Sequence, residues 1–394
     1  MREPAIRVLI LSNSNIYKDP RLVRQIQWLN DLGAKQITTV GWGPRPDGVS
    51  SHYVIPVLPP LKRYFGYLIR RHTARFQFFF GRFLDVVPPE ELSDLDLLVV
   101  NEIEFLPWLT ERRVLLSRTP TYLDLHEDHI NNADRGLLER VAFRKYWTWQ
   151  VQNAIKFVQQ NESRIAITSV EEVIATSYSK LFSKPVQLIY NSPDSNSLRP
   201  TPVDEASVRL VHHGMGTKGR GIEEAIRALG RLEAKFSLDL ILFSTPLFRL
   251  KIEILSRVLG VRSRINILPG VPLDELPTLL NKYDISIILI SGLIPGHLNT
   301  LPNKLFESIH SKLAVITGPN PSMKNIVTNN EIGVSLASWS FKDLATALAS
   351  LKTEDIQAFK RNAALASSYF SSSQSKQVFV KIVQKLGAIK GGSV

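Results

Sequence analysis

The sequence predicts an α/β protein made of two doubly wound parallel-sheet domains in tandem. Three observations carry that expectation. Short apolar, β-rich runs alternate with helical patterns over most of the 394 residues. The first run, Val8-Leu9-Ile10-Leu11, is apolar throughout, as in a strand buried on both faces of a parallel sheet. The alternation halts once, at a stretch over 193–204 rich in Pro, Ser, Asn and Asp, and then restarts. A chain of this length has room for two ordinary domains.

In the first half, Val8-Leu9-Ile10-Leu11 reads as a buried strand. A helix is expected over 19–32. Asp19 suits its N-cap and Pro20 its first turn; Leu22, Ile26 and Leu29 share one face, and Gly33 ends it. Strands follow at 37–40, 95–100, 121–125, 165–169 and 186–189. The stretch 193–204 reads as the interdomain linker. Beyond it, strands are expected at 208–212, 238–243, 265–268, 285–290, 314–317 and 333–336. Helices are expected at 221–233, 247–259, 273–282, 303–311 and 323–328, and two or three more close the chain. Ligands of such sheets sit beyond the carboxyl ends of the strands. The loops after Leu11, Leu125, His212, Leu268 and Ile290 are therefore the places to search, in a cleft between the two domains.

Composition narrows the partners. Lys and Arg number 48 against 36 Asp and Glu, a net charge of +12. That excess points to an anionic partner: nucleic acid, anionic lipid or a phosphorylated substrate. There is no cysteine, so disulfides and thiolate metal sites are excluded. No apolar run approaches the ~18 residues needed to span a bilayer. A cytoplasmic protein, soluble or on a membrane surface, is expected.

Four segments carry chemistry. In Leu301-Pro302-Asn303-Lys304-Leu305-Phe306-Glu307, Pro302 marks a helix start whose free N–H groups attract phosphate. Lys304 falls in the first turn, where its charge opposes the helix dipole, and Glu307 shares its face. A surface Lys–Glu pair is the plainer reading. The second segment, His212-His213-Gly214-Met215-Gly216-Thr217-Lys218-Gly219-Arg220-Gly221, follows a strand. Its glycines let backbone approach a ligand closely and Lys218 and Arg220 add charge, although an ordinary glycine-rich turn shows the same residues. The third, Asp124-Leu125-His126-Glu127-Asp128-His129, ends a strand. Two His and three carboxylates could suggest a metal, but the H-E-x-H spacing is wrong for two ligands one helical turn apart, as in H-E-x-x-H. It reads as a polar active-site loop or a solvated one. The fourth, residues 61–84, holds Lys62, Arg63, Arg70, Arg71, Arg75 and Arg82, no acidic residue and eight aromatics. Such a segment suits an anionic membrane surface or single-stranded nucleic acid, and also a buried helix with basic ends.

In this order the segments resemble the retaining glycosyltransferases of the GT-B fold, especially the large group 1, or family 4, class. Pro302-x-Lys304-Leu305-x-Glu307 before the strand 314–317 is similar to that family's donor segment. Leu268-Pro269-Gly270-Val271 resembles its base-binding strand end, and Thr217-Lys218-Gly219-Arg220-Gly221 its glycine-rich turn. Asp19-Pro20-Arg21 and Asp124-Leu125-His126-Glu127 resemble stretches lining the acceptor side, and Ile189-Tyr190-Asn191-Ser192-Pro193-Asp194 the domain junction. The family's first acid, eight positions before Glu307, is absent: Asn299 stands there, and His212 stands where the family usually has an arginine.

The resemblance implies an acceptor-binding Rossmann-like domain over 1–195, a nucleotide-sugar-binding domain over 196–374, and a last helix at 375–394 crossing back to the first domain. It implies transfer of a sugar, with retention, from a UDP- or GDP-sugar to a hydroxyl of a glycan or lipid-linked acceptor, in surface polysaccharide or glycoconjugate synthesis. Gly214, Gly216, Lys218, Arg220, Gly270, Val271, Asn299, Thr300, Asn303, Lys304 and Glu307 would face the donor. Asn13, Asp19, Arg21, Asp124, His126 and Glu127 would face the acceptor. Lys304, Arg220 and His126 would act in the chemistry, without metal or other cofactor. The enzyme would lie on the inner face of the cell membrane through 61–84. Two competing readings are a GT-B protein without transfer activity (a scaffold, or a nucleotide-sugar epimerase or hydrolase) and a nucleic-acid-binding protein. The latter lacks any RRM, KH, helix-turn-helix or zinc-finger signature.

Overall fold

The computed structural model describes residues 6–55, 87–111, 118–130, 137–292, 298 and 301–388. The segment 61–84 and residues Asn299 and Thr300 lie outside the described residues. The chain divides into two compact units, Met1–Ile189 with Lys376–Val394, and Tyr190–Ser375.

The first unit holds a seven-stranded sheet, β1 (Ile6–Asn15), β2 (Ala34–Trp42), β3 (Ser51–Val54), β4 (Leu97–Asn101), β5 (Thr121–Leu125), β6 (Ile165–Ser169) and β7 (Val186–Leu188). Its order is β3-β2-β1-β4-β5-β6-β7 and every pairing is parallel. Leu9 and Leu11 enter one core cluster, Val8 and Ile10 the other, so both faces of β1 are buried. That double burial is why the strand reads as an unbroken apolar run. Helix Pro20–Asp31 starts at the Asp19 cap, whose carboxylate accepts from the Arg21 N–H at 3.1 Å. In helix Ser372–Lys385, Phe379 packs against Trp28 and Tyr122 of this unit, with ring centroids 5.4 and 5.0 Å apart.

The second unit holds β8 (Val208–Gly216), β9 (Phe236–Ser244), β10 (Ile265–Pro269), β11 (Ile285–Ile288), β12 (Ala314–Thr317) and β13 (Gly333–Ser335). The order is β10-β9-β8-β11-β12-β13, again all parallel. Leu210, Leu240, Ile287 and Ile316 fill one side, Ile288, Val315, Leu305 and Phe306 the other.

The division between the two units falls at Ile189/Tyr190, near the expected 195/196. The stretch 193–204 is no free linker: Asn196 donates to the His310 carbonyl at 3.1 Å and Thr201 to that of Asn281 at 3.0 Å. Its polar side chains bond the second unit, so Pro and Ser content alone misread it. No helix among the described residues is long and apolar enough to cross a membrane.

Candidate functional site

In both units the strand order reverses beside the first strand, between β1 and β4 and between β8 and β11. Loops leaving the two sides of such a switch point part and open a crevice. In the second unit this place gathers the end of β8, the loop to helix Ile222–Leu229 and helix Asn303–His310.

His212 and His213 are buried at the end of β8. His212 Nδ1 lies 3.0 Å from the Ile287 carbonyl oxygen. Burial, then the charges of Lys304 and His213, hold its ring well below the ordinary imidazole range, so it is neutral. His213 Nε2 lies 2.9 Å from Glu307 Oε2. Burial lowers this ring as well, against the pull of Glu307. The neutral imidazole donates and fixes the carboxylate's orientation.

Lys304 is the anomaly. It is 8% exposed, and its Nζ is buried without a hydrogen-bond partner. The ammonium lies against Gly214: a Cβ there would stand 3.7 Å from Nζ, and the φ of +107° favours glycine. Burial and the nearby Arg220 charge push Lys304 down to about 7, with Glu307 pulling the other way. Helix Asn303–His310 has no side-chain cap and no acidic residue in its first turn, so its positive end adds to the same field. The glycine loop closes on β11 at Gly221, where φ is +79° and a Cβ would meet the Leu289 carbonyl oxygen at 2.6 Å. A buried cation without a partner is unfavourable until an anion joins it. Together these groups form a preformed anion cradle.

The first unit builds a different network at the ends of β4 and β5. Glu102 takes a φ of +74°, which costs of order 1 kcal/mol for a non-glycine residue. Its Oε1 accepts from the backbone N–H of His126 at 2.7 Å and of Glu127 at 3.1 Å. It also pairs with His126 Nδ1 at 3.1 Å and His129 Nε2 at 2.9 Å. Burial opposes its charge, but hydrogen bonds from the two imidazoles hold it well below the carboxylate range. Asp124 is buried and accepts from Gln25 at 2.9 Å and Thr168 at 2.7 Å, with His126 Nε2 2.9 Å away. Burial would lower His126, yet Asp124 and Glu102 raise it to about 9 against the Arg21 charge. The folded value exceeds the ordinary 6.5. The stability this pairing contributes is therefore complete below pH 6.5 and lost as pH rises through 9. His126→Gln should cost of the order of 2 kcal/mol at pH 6 and much less at pH 10, as urea unfolding would measure.

Glu102, Glu104 and His129 also bring ligand-type atoms within 4.8 Å of one another. Glu102 already serves two backbone N–H groups and two imidazoles, so an ion-pair network accounts for the arrangement.

No family model matches the chain, and no curated protein matches it. Solved structures do. Sucrose-phosphate synthase from Thermosynechococcus elongatus matches with a TM-score of 0.67 at 12% identity, over 97% of this chain and 99% of that one. WaaG, a glycosyltransferase involved in lipopolysaccharide biosynthesis, matches at 0.61 and 13%, over 98% and 100%. HepE from Anabaena, in complex with UDP and glucose, matches at 0.63 and 13%, over 96% and 99%. The fold is GT-B.

Within this GT-B fold the expected donor residues separate. Gly214, Lys304 and Glu307 come together, and the Arg220 charge acts on Lys304. Lys218 is exposed and Gly216 is buried. The Gly270 N–H donates to the Leu242 carbonyl at 3.1 Å, and Val271 packs beside the core around Leu276 and Tyr283. Asn303 Oδ1 accepts from Asn191 at 2.8 Å. His212 is neutral and supplies no charge. On the first unit, Asp19 and Arg21 pair with each other at 3.1 Å. Asn13 is half-buried on β1, and Glu127 is exposed and bonds through its backbone. Both ring nitrogens of His126 face carboxylates, so it can orient a hydroxyl only by exchanging one of them. His213, Glu102, Gln25 and Thr168 were not singled out from the sequence. The one available hint was Glu102-x-Glu104 directly after an apolar strand.

Proposed function

We propose that this chain is a glycosyltransferase that moves a sugar, with retention, from a UDP- or GDP-sugar to a hydroxyl of a glycan or lipid-linked acceptor. Surface polysaccharide or glycoconjugate synthesis is the corresponding pathway class. The carrying observation is the buried, partnerless Lys304 ammonium on Gly214 at a helix N-terminus, in a fold whose solved member HepE holds UDP and UDP-glucose. In the reaction, the bond from the anomeric carbon to the diphosphate oxygen breaks and the acceptor oxygen takes its place. The acceptor's proton leaves with the diphosphate. Lys304, Arg220 and the free N–H groups near Asn303 would neutralise the departing charge. Glu307, oriented by His213, would accept hydrogen bonds from the ribose, and backbone at Gly270-Val271 would meet the base. Docking to an anionic membrane through 61–84 belongs to the same reading and rests on that segment's composition.

Saturation-transfer NMR with UDP, GDP and an oligonucleotide tests the reading. Nucleotide binding that Lys304→Ala abolishes is the expected result. Oligonucleotide binding alone would replace the reading with the nucleic-acid one. Because cationic groups already face the diphosphate, transfer should persist in excess EDTA. A chelator-sensitive rate restored by Mg²⁺ or Mn²⁺ would contradict the metal-free reaction and turn attention to Glu102, Glu104 and His129.

A further inference from the structure

Helix Pro246–Val258 is apolar on two faces. Its inner face buries Ile252 and Ser256, with Phe248 and Leu255 against the core of the second unit. Its outer face carries Leu247, Leu250, Ile254 and Val258, which are 77%, 56%, 51% and 77% exposed. These positions are spaced by three, four and four residues and so form one stripe along the helix. Lys251 and Arg257, both exposed, border it on opposite sides. Single exposed aliphatic residues are ordinary, but a continuous stripe gives the isolated unit no stability and marks an interaction surface.

We propose that this face docks on an anionic lipid surface, independently of the proposed transfer reaction. Charge selects the lipid. Residues 246–264 hold Arg249, Lys251, Arg257, Arg262 and Arg264 against the single acid Glu253, in a chain of net charge +12. Arg249 and Arg264 donate to backbone carbonyls, so their charges are not cancelled by acids. Lys251 pairs with Glu223 at 2.9 Å, and Arg257 and Arg262 share the one Glu253, each at 3.1 Å. The Lys251 and Arg257 side chains are more than half exposed, so their charged ends reach a lipid phosphate beside the stripe. Long basic stems reach headgroups while the aliphatic stripe sinks to the acyl boundary, the arrangement of an interfacial helix. A second copy fits worse. Four side chains on one short helix fall well below the ~800 Å² per partner of a stable protein interface.

The test is co-sedimentation of the full chain with phosphatidylcholine vesicles, with and without phosphatidylglycerol, at low and high salt. Three proteins are compared: the wild type, Leu247→Ser/Leu250→Ser/Ile254→Ser/Val258→Ser, and Arg70→Glu/Arg71→Glu/Arg75→Glu. The wild type should partition onto the anionic vesicles, more strongly at low salt. The quadruple serine variant should lose at least tenfold in partitioning while keeping the wild-type Tm, because all four side chains already face solvent. The Arg variant should retain the helix-dependent part. Wild-type partitioning by the serine variant overturns the proposal, as does indifference of the wild type to anionic vesicles at low salt. A concentration-dependent dimer that the serine variant dissolves, without vesicle binding, also overturns it and assigns the face to a second copy. Nucleotide binding is read separately, so a chain that ignores UDP and GDP yet partitions through this helix upholds the inference while the transferase reading fails.

Discussion

Lys304→Met should lose two to three orders of magnitude in transfer rate while becoming more stable than the wild type. The rate loss follows from removing one preorganised charge contact to a leaving group, which costs ~2.7–4 kcal/mol of transition-state stabilisation. The gain in stability follows from the same geometry. Lys304 is buried without a hydrogen-bond partner, and burial with the Arg220 charge holds it at about 7 in the folded chain, against the ordinary 10.5 of a lysine. A base lowered on folding binds fewer protons in the folded state between those values. Its penalty is complete below pH 7, fades as pH rises, and is gone above 10.5. Methionine fills the same volume without charge. The stabilisation should be of the order of a few kcal/mol at pH 6 and small at pH 10. Urea unfolding at the two pH values, beside steady-state rates, checks both halves. A variant with near wild-type turnover would place the diphosphate elsewhere. A variant with lower stability at pH 6 would mean that Lys304 has a partner within the fold. The opposed effects are the signature of a group kept for binding at a cost in stability.

The sequence carried the sheets further than it carried the sites. The strands over 121–125, 165–169 and 314–317 match residue for residue, because each is a short apolar run between polar or Pro-containing turns. β8 was expected to stop at His212, but it runs to Gly216, paired with β9 as far as Ser244. Its glycines read as loop although the ladder continues through them. β3, Ser51–Val54, was missed: it is an edge strand without a fully buried residue, so it lacks the apolar run. Lys304 was legible because a cation in a first helical turn is locally odd. His213 was not, since a histidine at the end of a buried strand resembles ordinary core. Its meaning comes from Glu307, 94 residues away. Glu102 escaped for the same reason: its partners His126 and His129 arrive from the next strand. Local pattern reports a residue's own element; the candidate sites lie in pairs that only the tertiary fold brings together.

Asp284→Ala should strongly destabilise the second unit, with little effect on nucleotide contacts. Asp284 stands just before β11, at the end of the strand opposite the candidate site, and is fully buried. It accepts from the Arg209 N–H at 2.9 Å and from Lys360 Nζ at 3.0 Å. Lys360 is itself fully buried and also donates to Thr201 Oγ1 at 2.8 Å and the Tyr283 carbonyl at 2.9 Å. One ion pair thus ties helix Thr353–Tyr369, the stretch before β8 and the start of β11. Removing the carboxylate leaves an ammonium buried among neutral acceptors, which typically costs ~3–5 kcal/mol, a large share of a domain's ~5–15 kcal/mol. Lys360→Met should cost less, because Asp284 keeps Arg209 and methionine fills the space. The two deficits should also differ with pH. Burial already lowers Lys360, and Asp284 is what supports its charge. In Asp284→Ala the lysine deprotonates more readily in the folded state than in the unfolded one, so the variant regains stability as pH rises. Urea unfolding of both variants at pH 7 and pH 9.5 separates these outcomes. A loss under about 1 kcal/mol for Asp284→Ala would show that Lys360 reaches solvent or another acceptor. Equal, pH-independent losses for the two would show that the pair acts through packing alone.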